Sequence, residues 1–383
     1  MILAVADDIS GAAEIAAAGR TFGLTAQVRM KTHGGASSEL VVIDTDSRYR
    51  TGDPAGDISQ ALAYDGSSVE WYYKKVDSVL RGNVFLEINV MMKILNKNRA
   101  VLAPANPSKA RVISNGQYFI DGRPLHETDF ANDPDYPVKS SNVVELLKAP
   151  QDFPVHLRTW KTYNSLEEGI IVAEAQNSND LTQWAGLLDE HTLAAGGSDF
   201  FRAILENKMP AKKVPCYVNI SAVSGKKLFV CGSSSDNSKK AVAQAGDSGI
   251  PVCPMPDALF QEFSLDDTLI RKWAENVLDA LSQSDRVITA IPQLTVRDSR
   301  LAKNLLMKTA ALVRMVLGAA EIHELFIEGG ATAEAVLRRL RYKRFDVLAE
   351  YAPGVVQMRA PGQKKLYVTI KPGSYPWPNN IWM

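Results

Sequence analysis

Carboxylates and basic side chains recur at the ends of short apolar runs in this sequence. Asp7 and Asp8 follow Ile2 to Ala6, and Asp44, Asp46, Ser47 and Arg48 follow Leu40 to Ile43. A third run, Trp71 to Val76, closes on Lys74, Lys75, Asp77, Ser78 and Arg81. Arginine presents a planar fork that matches a carboxylate or phosphate. An aspartate beside it can hold a hydroxyl or take its proton. An ordinary surface ion pair explains any one of these residues better than a site does. Repetition at three successive run ends points instead to a pocket for a small polyhydroxy acid.

The second half carries a different chemistry. Residues 232–235 (GSSS), 329–332 (GGAT) and 371–374 (KPGS) each follow an apolar run and are rich in glycine and hydroxyls. Glycine lets phosphate oxygens approach the backbone, and a helix N-terminus favours negative charge. Lys371 can add a point charge to a polyphosphate. One such turn is weak evidence; three together suggest a nucleotide. Gly196, Gly197 and Ser198 form a fourth small-residue turn, which either meets an anion or is simple turn chemistry. No GxxxxGK[ST] loop is present, and no GxGxxG follows any run, which argues against a dinucleotide oxidoreductase.

These groups need strands to deliver them. Ile2 to Ala6, a tight turn and the alanine-rich stretch behind it read as the first half of a βαβ unit. Open sheets of this kind bind ligands beyond the carboxyl ends of their strands. One of Asp7 and Asp8 is expected to cap the following helix and the other to function, in either order. Further strands are expected at 40–43, 71–76, 100–103, 169–173, 227–231, 286–291, 325–328 and up to Lys371. Helices are expected from Val84, from Asp180 through Leu188, and over 267–283 and 299–317. A hairpin turn is expected at Asp121-Gly122 and a helix cap near Ser140 or Ser141. Residues 206–226, rich in proline and lysine and without helical period, read as a boundary. The expected fold is α/β: two α/β domains with mainly parallel sheets, residues 1–215 and 216–383, and an active site in the interdomain cleft.

Composition excludes several classes. Lys plus Arg equals Asp plus Glu at 43 each, so the 383-residue chain has no electrostatic footprint for nucleic acid or an anionic membrane. Three cysteines (Cys216, Cys231, Cys253) without CxxC spacing read as buried thiols, not a disulfide framework or a zinc site. No apolar run approaches about 18 residues, and no basic n-region precedes an apolar core, so a cytoplasmic protein is expected. His126 and His323 fit no paired metal spacing, and no metal site built by the chain is expected. Trp377 and Trp382 either pack as a tail or meet a partner subunit; a homodimer is possible.

Taken together, the motifs resemble the four-carbon acid sugar kinase family, formerly DUF1537. VADDISGAAE resembles its opening DDxTGA, DTDSR its second strand end, KKVDSVLRGN its KxDSTLRGN, and APANPSKAR its proline segment. GSSS resembles GSxS, EGGAT resembles GGxT, and KPGSY resembles KPGxFG. The resemblance covers almost the whole chain in order. It implies an N-terminal sugar-acid-binding domain, a C-terminal ATP-binding domain, ATP and Mg2+ as cofactors, and phosphoryl transfer to a hydroxyl of a four-carbon sugar acid. Asp8 and Asp77 would then be catalytic, with Asp7, Arg48, Lys75 and Arg81 on the substrate. Arg48 and Arg81 would hold its carboxylate or meet developing phosphoryl charge. Ser233, Ser235, Gly329, Gly330, Thr332, Lys371 and Gly373 would contact ATP. Val79, Asn106 and Pro376 depart from the family pattern and leave the particular acid open. One rival is a haloacid-dehalogenase-like phosphatase, since LVVIDTDSR resembles hhhhDxDx[TV] with Asp44 as nucleophile and Asp46 as acid/base. Another is a sugar-acid-binding protein without turnover.

Overall fold

The computed structural model describes the chain apart from residues 31–37, 51–52, 64–68, 134–135, 210–222, 234, 262–266, 292–298, 363–364, 379–380 and 382–383. It divides into two compact units, Met1–Val214 and Pro215–Met383. That division falls inside the proline- and lysine-rich stretch of the sequence.

The first unit runs β1 (Ile2–Ala6), α1 (Ile9–Thr21), β2 (Ala26–Met30), β3 (Leu40–Asp44), α2 (Pro54–Leu62), β4 (Trp71–Lys75), α3 (Val84–Ile94) and β5 (Arg99–Ala103). Then come β6 (Arg111–Ser114), β7 (Gln117–Ile120), β8 (Arg123–Pro124), α4 (Val143–Leu147), β9 (Val155–Arg158), β10 (Gly169–Ala173), α5 (Ser178–Gly186), β11 (Thr192–Gly196) and α6 (Ser198–Lys208). Its sheet has the order β2-β3-β1-β4-β11-β5-β10-β9, with every pair parallel. Fully buried apolar strands such as β1 and β10 suit a sheet covered on both faces. Helix α1 lies close to it because Gly19 has no side chain: a Cβ there would come within 2.4 Å of Leu40 Cδ2. Strand order reverses at β1, whose neighbours are β3 on one side and β4 on the other. A reversal of this kind opens a crevice beyond the strand ends. Strands β6, β7 and β8 form a separate antiparallel sheet.

The second unit runs β12 (Lys227–Cys231), α7 (Asp236–Asp247), β13 (Val252–Pro254), α8 (Asp257–Gln261), α9 (Asp267–Gln283), β14 (Arg286–Ala290), α10 (Ser299–Ala319), β15 (Glu324–Glu328), α11 (Gly330–Arg339), β16 (Arg344–Ala352), β17 (Val355–Arg359) and β18 (Tyr367–Lys371). Strands β13-β14-β12-β15-β18 are parallel, and β17 and β16 continue the sheet antiparallel. Here the order reverses between β12 and β15. Phe229, Phe326 and Trp377 centre an aromatic core, so Trp377 packs inside its own unit; Trp382 lies outside the described residues.

Several elements differ from the sequence reading, each for a local reason. Strand β2 is hidden in the sequence because Gln27 and Arg29 interrupt its apolar pattern, although both side chains are buried. Strand β11 (TLAAG) is too small-sided to look like a strand, and β9 is only half-buried. The antiparallel pair β16–β17 is an addition to the parallel plan. The expected turn at Asp121-Gly122 joins β7 to β8, and a second left-handed pair, Asn115-Gly116, joins β6 to β7. Asn142, not Ser140 or Ser141, caps α4 by accepting from the Val144 and Glu145 backbones. Cys231 is buried and Cys253 half-buried, both free; Cys216 lies outside the described residues.

Candidate functional site

At the carboxyl ends of β1, β3 and β4 the first unit gathers four aspartates around two arginines. Arg48 Nε and Nη2 each donate to one oxygen of Asp7 at 2.8 Å. Nη2 also meets Asp8 Oδ1 at 2.7 Å, and Nη1 lies 3.6 Å from Asp77 Oδ1. Arg81 grips Asp77 bidentately, Nε to Oδ2 at 2.9 Å and Nη2 to Oδ1 at 2.8 Å. Its remaining Nη1 donates to Asp133 Oδ2 at 2.6 Å. One guanidinium thus serves three carboxylates and the other two.

The electrostatics arise from that packing. Burial opposes ionisation of Asp7, yet the Arg48 guanidinium, supported by Lys74 and Lys75, holds its carboxyl below the usual range. Asp77 is buried as well, and Arg81 and Arg48 hold it well below that range. Both arginines are pushed up by the aspartates, against their own desolvation. A carboxylate held so firmly ionised is a poor proton acceptor. Asp8 is placed differently. Its Oδ1 accepts from the Gly11 N–H at 2.9 Å and caps α1, while Oδ2 accepts from the Ser10 hydroxyl. Its side chain is 14% exposed, against 3% for Asp7 and 6% for Asp77. Asp8 is therefore the cap of α1 and the more exposed of the two adjacent aspartates, with Asp133 at 12% close behind it.

Lys75 completes the cluster. Its ammonium donates to the Val76 carbonyl at 2.6 Å and forms no ion pair among the described residues. A Cβ on Gly11 would sit 2.7 Å from Asp8 Oδ1 and 3.3 Å from Lys75 Nζ, so both groups flank the first turn of α1. Neighbouring Lys74 is spent on structure, paired at 2.8 Å with fully buried Glu87, which also accepts from Ser47 Oγ.

Several contributors lie outside the run-end pattern, although Lys109 and Arg111 belong to the APANPSKAR segment. Asp133 belongs to a polar loop. Phe130 has the Arg81 and Arg111 guanidinium carbons 5.1 and 5.5 Å from its ring centroid, and Arg111 donates to Ser78 Oγ. Lys109 pairs with buried Glu14 and reaches Ser198 Oγ at 3.4 Å. None of them stands at the end of an apolar run, the one pattern that marks the other site residues. Asn106, a departure from the family pattern, is buried and accepts from Ser198 Oγ and the Asp199 N–H. The 196–198 turn is thereby capped from within the protein, so its anion reading gives way to turn chemistry. Asp44 is fully buried, and its Oδ1 accepts from the Asp46 N–H at 2.9 Å. That is a turn-forming role, which gives Asp44 a structural reason to stand at this strand end apart from the phosphatase reading.

In the second unit the three glycine turns come together at the carboxyl ends of β12, β15 and β18. Ser233 and Ser235 hydroxyls both donate to the Gly373 carbonyl, at 3.3 and 3.1 Å, and Ser235 caps α7 through the Ser238 N–H. Gly329 (φ 94°) donates its N–H to the Lys371 carbonyl at 2.9 Å. A Cβ on Gly373 would fall 2.9 Å from Ser233 Oγ and 3.7 Å from Gly329 Cα. A Cβ on Gly232 would come within 2.0 Å of Thr332 Oγ1. The turns are closely nested, and α7 and α11 begin at them. Lys371 departs from its expected role. Its ammonium is buried against Glu328, donates to the Tyr375 carbonyl at 2.7 Å, and lies 4.8 Å from the Trp377 ring centroid. It holds the turns from beneath instead of offering a charge to a ligand.

Nesting of that kind, with two helix N-termini at hand, fits the phosphates of a nucleotide. Among the described residues no group of three or more His, Cys, Asp or Glu is arranged to hold a metal ion. Magnesium that arrives on phosphates needs few protein ligands. Among the described residues no helix is long and apolar enough to cross a membrane.

Comparison with known proteins adds family context. Residues 2–204 match a family described as a sugar-binding N-terminal domain, and residues 228–375 one described as a nucleotide-binding C-terminal domain. The chain is 26% identical to a D-threonate kinase of Salmonella typhimurium, covering 92% of this chain and 89% of that one. It is 23% identical to a 3-oxo-tetronate kinase of Burkholderia multivorans (97% and 93% covered). A D-erythronate kinase of Heliobacterium modesticaldum is 30% identical over 162 residues, 39% of this chain and 36% of that one. Among solved structures, a Haemophilus influenzae protein of the DUF1537 family superposes with a TM-score of 0.68 at 20% identity, covering 97% and 96% of the two chains. That likeness speaks to fold.

Proposed function

Since the chain belongs to the four-carbon acid sugar kinase family and is a carbohydrate kinase, we propose that it phosphorylates a hydroxyl of a tetronate or 3-oxo-tetronate with ATP. The first unit would take the acid and the second the nucleotide. The observation that carries this reading is the rim at β1, β3 and β4. There an accessible aspartate and an ammonium without an ion-pair partner among the described residues share one helix start.

Arg48 and Arg81 are engaged by the protein's own carboxylates, so Lys75 is the cation best placed for the substrate carboxylate. Asp8 orients the acceptor hydroxyl and takes its proton as the bond to phosphorus forms. Arg48, bonded to Asp8, keeps that carboxylate in place, and Asp7 and Asp77 fix Arg48 in turn. MgATP supplies the γ-phosphoryl group. Positioning and charge neutralisation carry most of the rate in such transfers.

The test is ADP release over a panel of threonates, erythronates and 3-oxo-tetronates, with and without ATP. Turnover that needs both ATP and one acid of the panel supports the reading, and phosphate release from phosphorylated acids without ATP overturns it. Asp8→Asn keeps the helix cap and should lower kcat by about 10²–10³ with the KM for ATP unchanged. A fully active Asp8→Asn enzyme removes Asp8 from the chemistry.

A further inference from the structure

The three glycine turns are each preceded by the last residue of a parallel strand: Cys231 of β12, Glu328 of β15 and Lys371 of β18. These three residues are direct register partners, Cys231 with Glu328 and Glu328 with Lys371. Partners in register share a face of the sheet, so the side chains behind the three turns meet side by side. Glu328 is the middle one. Its fully buried carboxylate pairs with the Lys371 ammonium and accepts from Ser238 Oγ, in the first turn of α7. Lys371 passes the connection on to the Tyr375 and Pro372 carbonyls, on either side of Gly373. One carboxylate therefore ties the strand before Gly329 to the helix after Ser235 and to the segment around Gly373.

A buried ion pair contributes little net stability, because desolvation offsets the attraction. Its presence directly under three turns calls for another reason. We propose that Glu328 is a positioning residue for the nucleotide, holding the three glycine turns at the mutual spacing that phosphate oxygens require without touching the nucleotide itself. This rests on the reading of those turns as the nucleotide site. The geometry assigns the effect to one substrate only: loosening the spacing weakens ATP binding and leaves the acid site of the first unit as it was.

The experiment is steady-state kinetics on the full chain with each substrate varied in turn, beside thermal unfolding. Glu328→Gln should raise the KM for ATP about tenfold and leave the KM for the sugar acid within about twofold. Ser238→Ala, which removes only the arm to α7, should raise the KM for ATP about threefold and serves as the reporter if Glu328→Gln fails to fold. Gly373→Ala acts at the turn directly, since its Cβ would crowd Ser233 Oγ. If Gly373→Ala raises the KM for ATP while both Glu328→Gln and Ser238→Ala leave it unchanged, the positioning role is overturned. Should Glu328→Gln raise both KM values equally, its role is general stability and the proposal is equally overturned. If none of the three variants changes the KM for ATP, the turns are not the nucleotide site, and the underlying reading fails with the proposal.

Discussion

The two proposed ligand sites are built by opposite means. At the rim of the first unit the working parts are charged side chains, and each arginine is held by at least two carboxylates. At the turns of the second unit the working parts are backbone groups, and the charged pair lies beneath them, both members fully buried. A short polyhydroxy acid offers hydroxyls and one carboxylate, which need directional partners set by side-chain identity. Phosphate oxygens are met by N–H groups, which need close backbone approach and correct spacing. The first region should therefore be sensitive to which side chain is present, and the second to how its turns are held apart.

The largest expected effect tests the first half of that contrast. Arg48→Met leaves Asp7, Asp8 and Asp77 facing one another without their shared guanidinium. Breaking a buried pair costs about 3–5 kcal/mol, so urea unfolding should show a loss of that size, with kcat down by at least about 10³. If Arg48→Met costs no more stability than Gly373→Ala, the contrast between the regions is wrong.

A smaller effect separates recognition of the acid from recognition of the polyol. Lys75→Met should raise the KM for the sugar acid about 10- to 100-fold, as expected for loss of a charged hydrogen bond. The KM for ATP should stay constant, as should turnover of the matching uncharged polyol, measured at high concentration. Equal losses on acid and polyol would take the carboxylate away from Lys75.

The smallest effect is in acid stability, where the two units carry opposite signs. Glu14 is penalised by burial, but Lys109 and hydrogen bonds bring its pKa down from 4.5 to about 2. Its stabilising contribution is present above pH 4.5 and is lost as pH falls toward about 2. This is worth on the order of 3 kcal/mol. Glu324 of the second unit is raised by burial, despite hydrogen bonds from Thr369, Gln357 and Tyr351. Its contribution is greatest below the unfolded value and is lost as pH rises through the folded one. Acid should therefore weaken the first unit through Glu14 while Glu324 acts the other way. Glu14→Gln should flatten the fall in unfolding free energy between pH 4.5 and about 2, and Glu324→Gln should not; identical profiles would dismiss the difference.

Much of this is legible in the chain because parallel strands in a covered sheet are continuous apolar runs, and the residues just beyond each run face the ligand crevice. Asp7, Asp8, Arg48, Lys75, Asp77 and Arg81 are marked in that way, as are the three glycine turns. The same rule cannot reach Asp133, Phe130, Lys109 or Arg111, which arrive from loops and a side hairpin. Nor can it find β2, whose Gln27 and Arg29 are buried against type, or the antiparallel β16–β17 addition.

The sequence by itself determined the α/β plan, the residues at the strand ends and the family, since hydrophobic period and motif order are local properties of the chain. Tertiary structure decided which charges stay available. Arg48 and Arg81 are consumed by aspartates up to 52 residues away, Lys371 is turned inward to Glu328, and Lys75, itself buried, is left without an ion-pair partner among the described residues, beside Asp8 at the start of α1. Pairing depends on distance in space, and a linear chain does not specify which of several carboxylates a guanidinium will reach first.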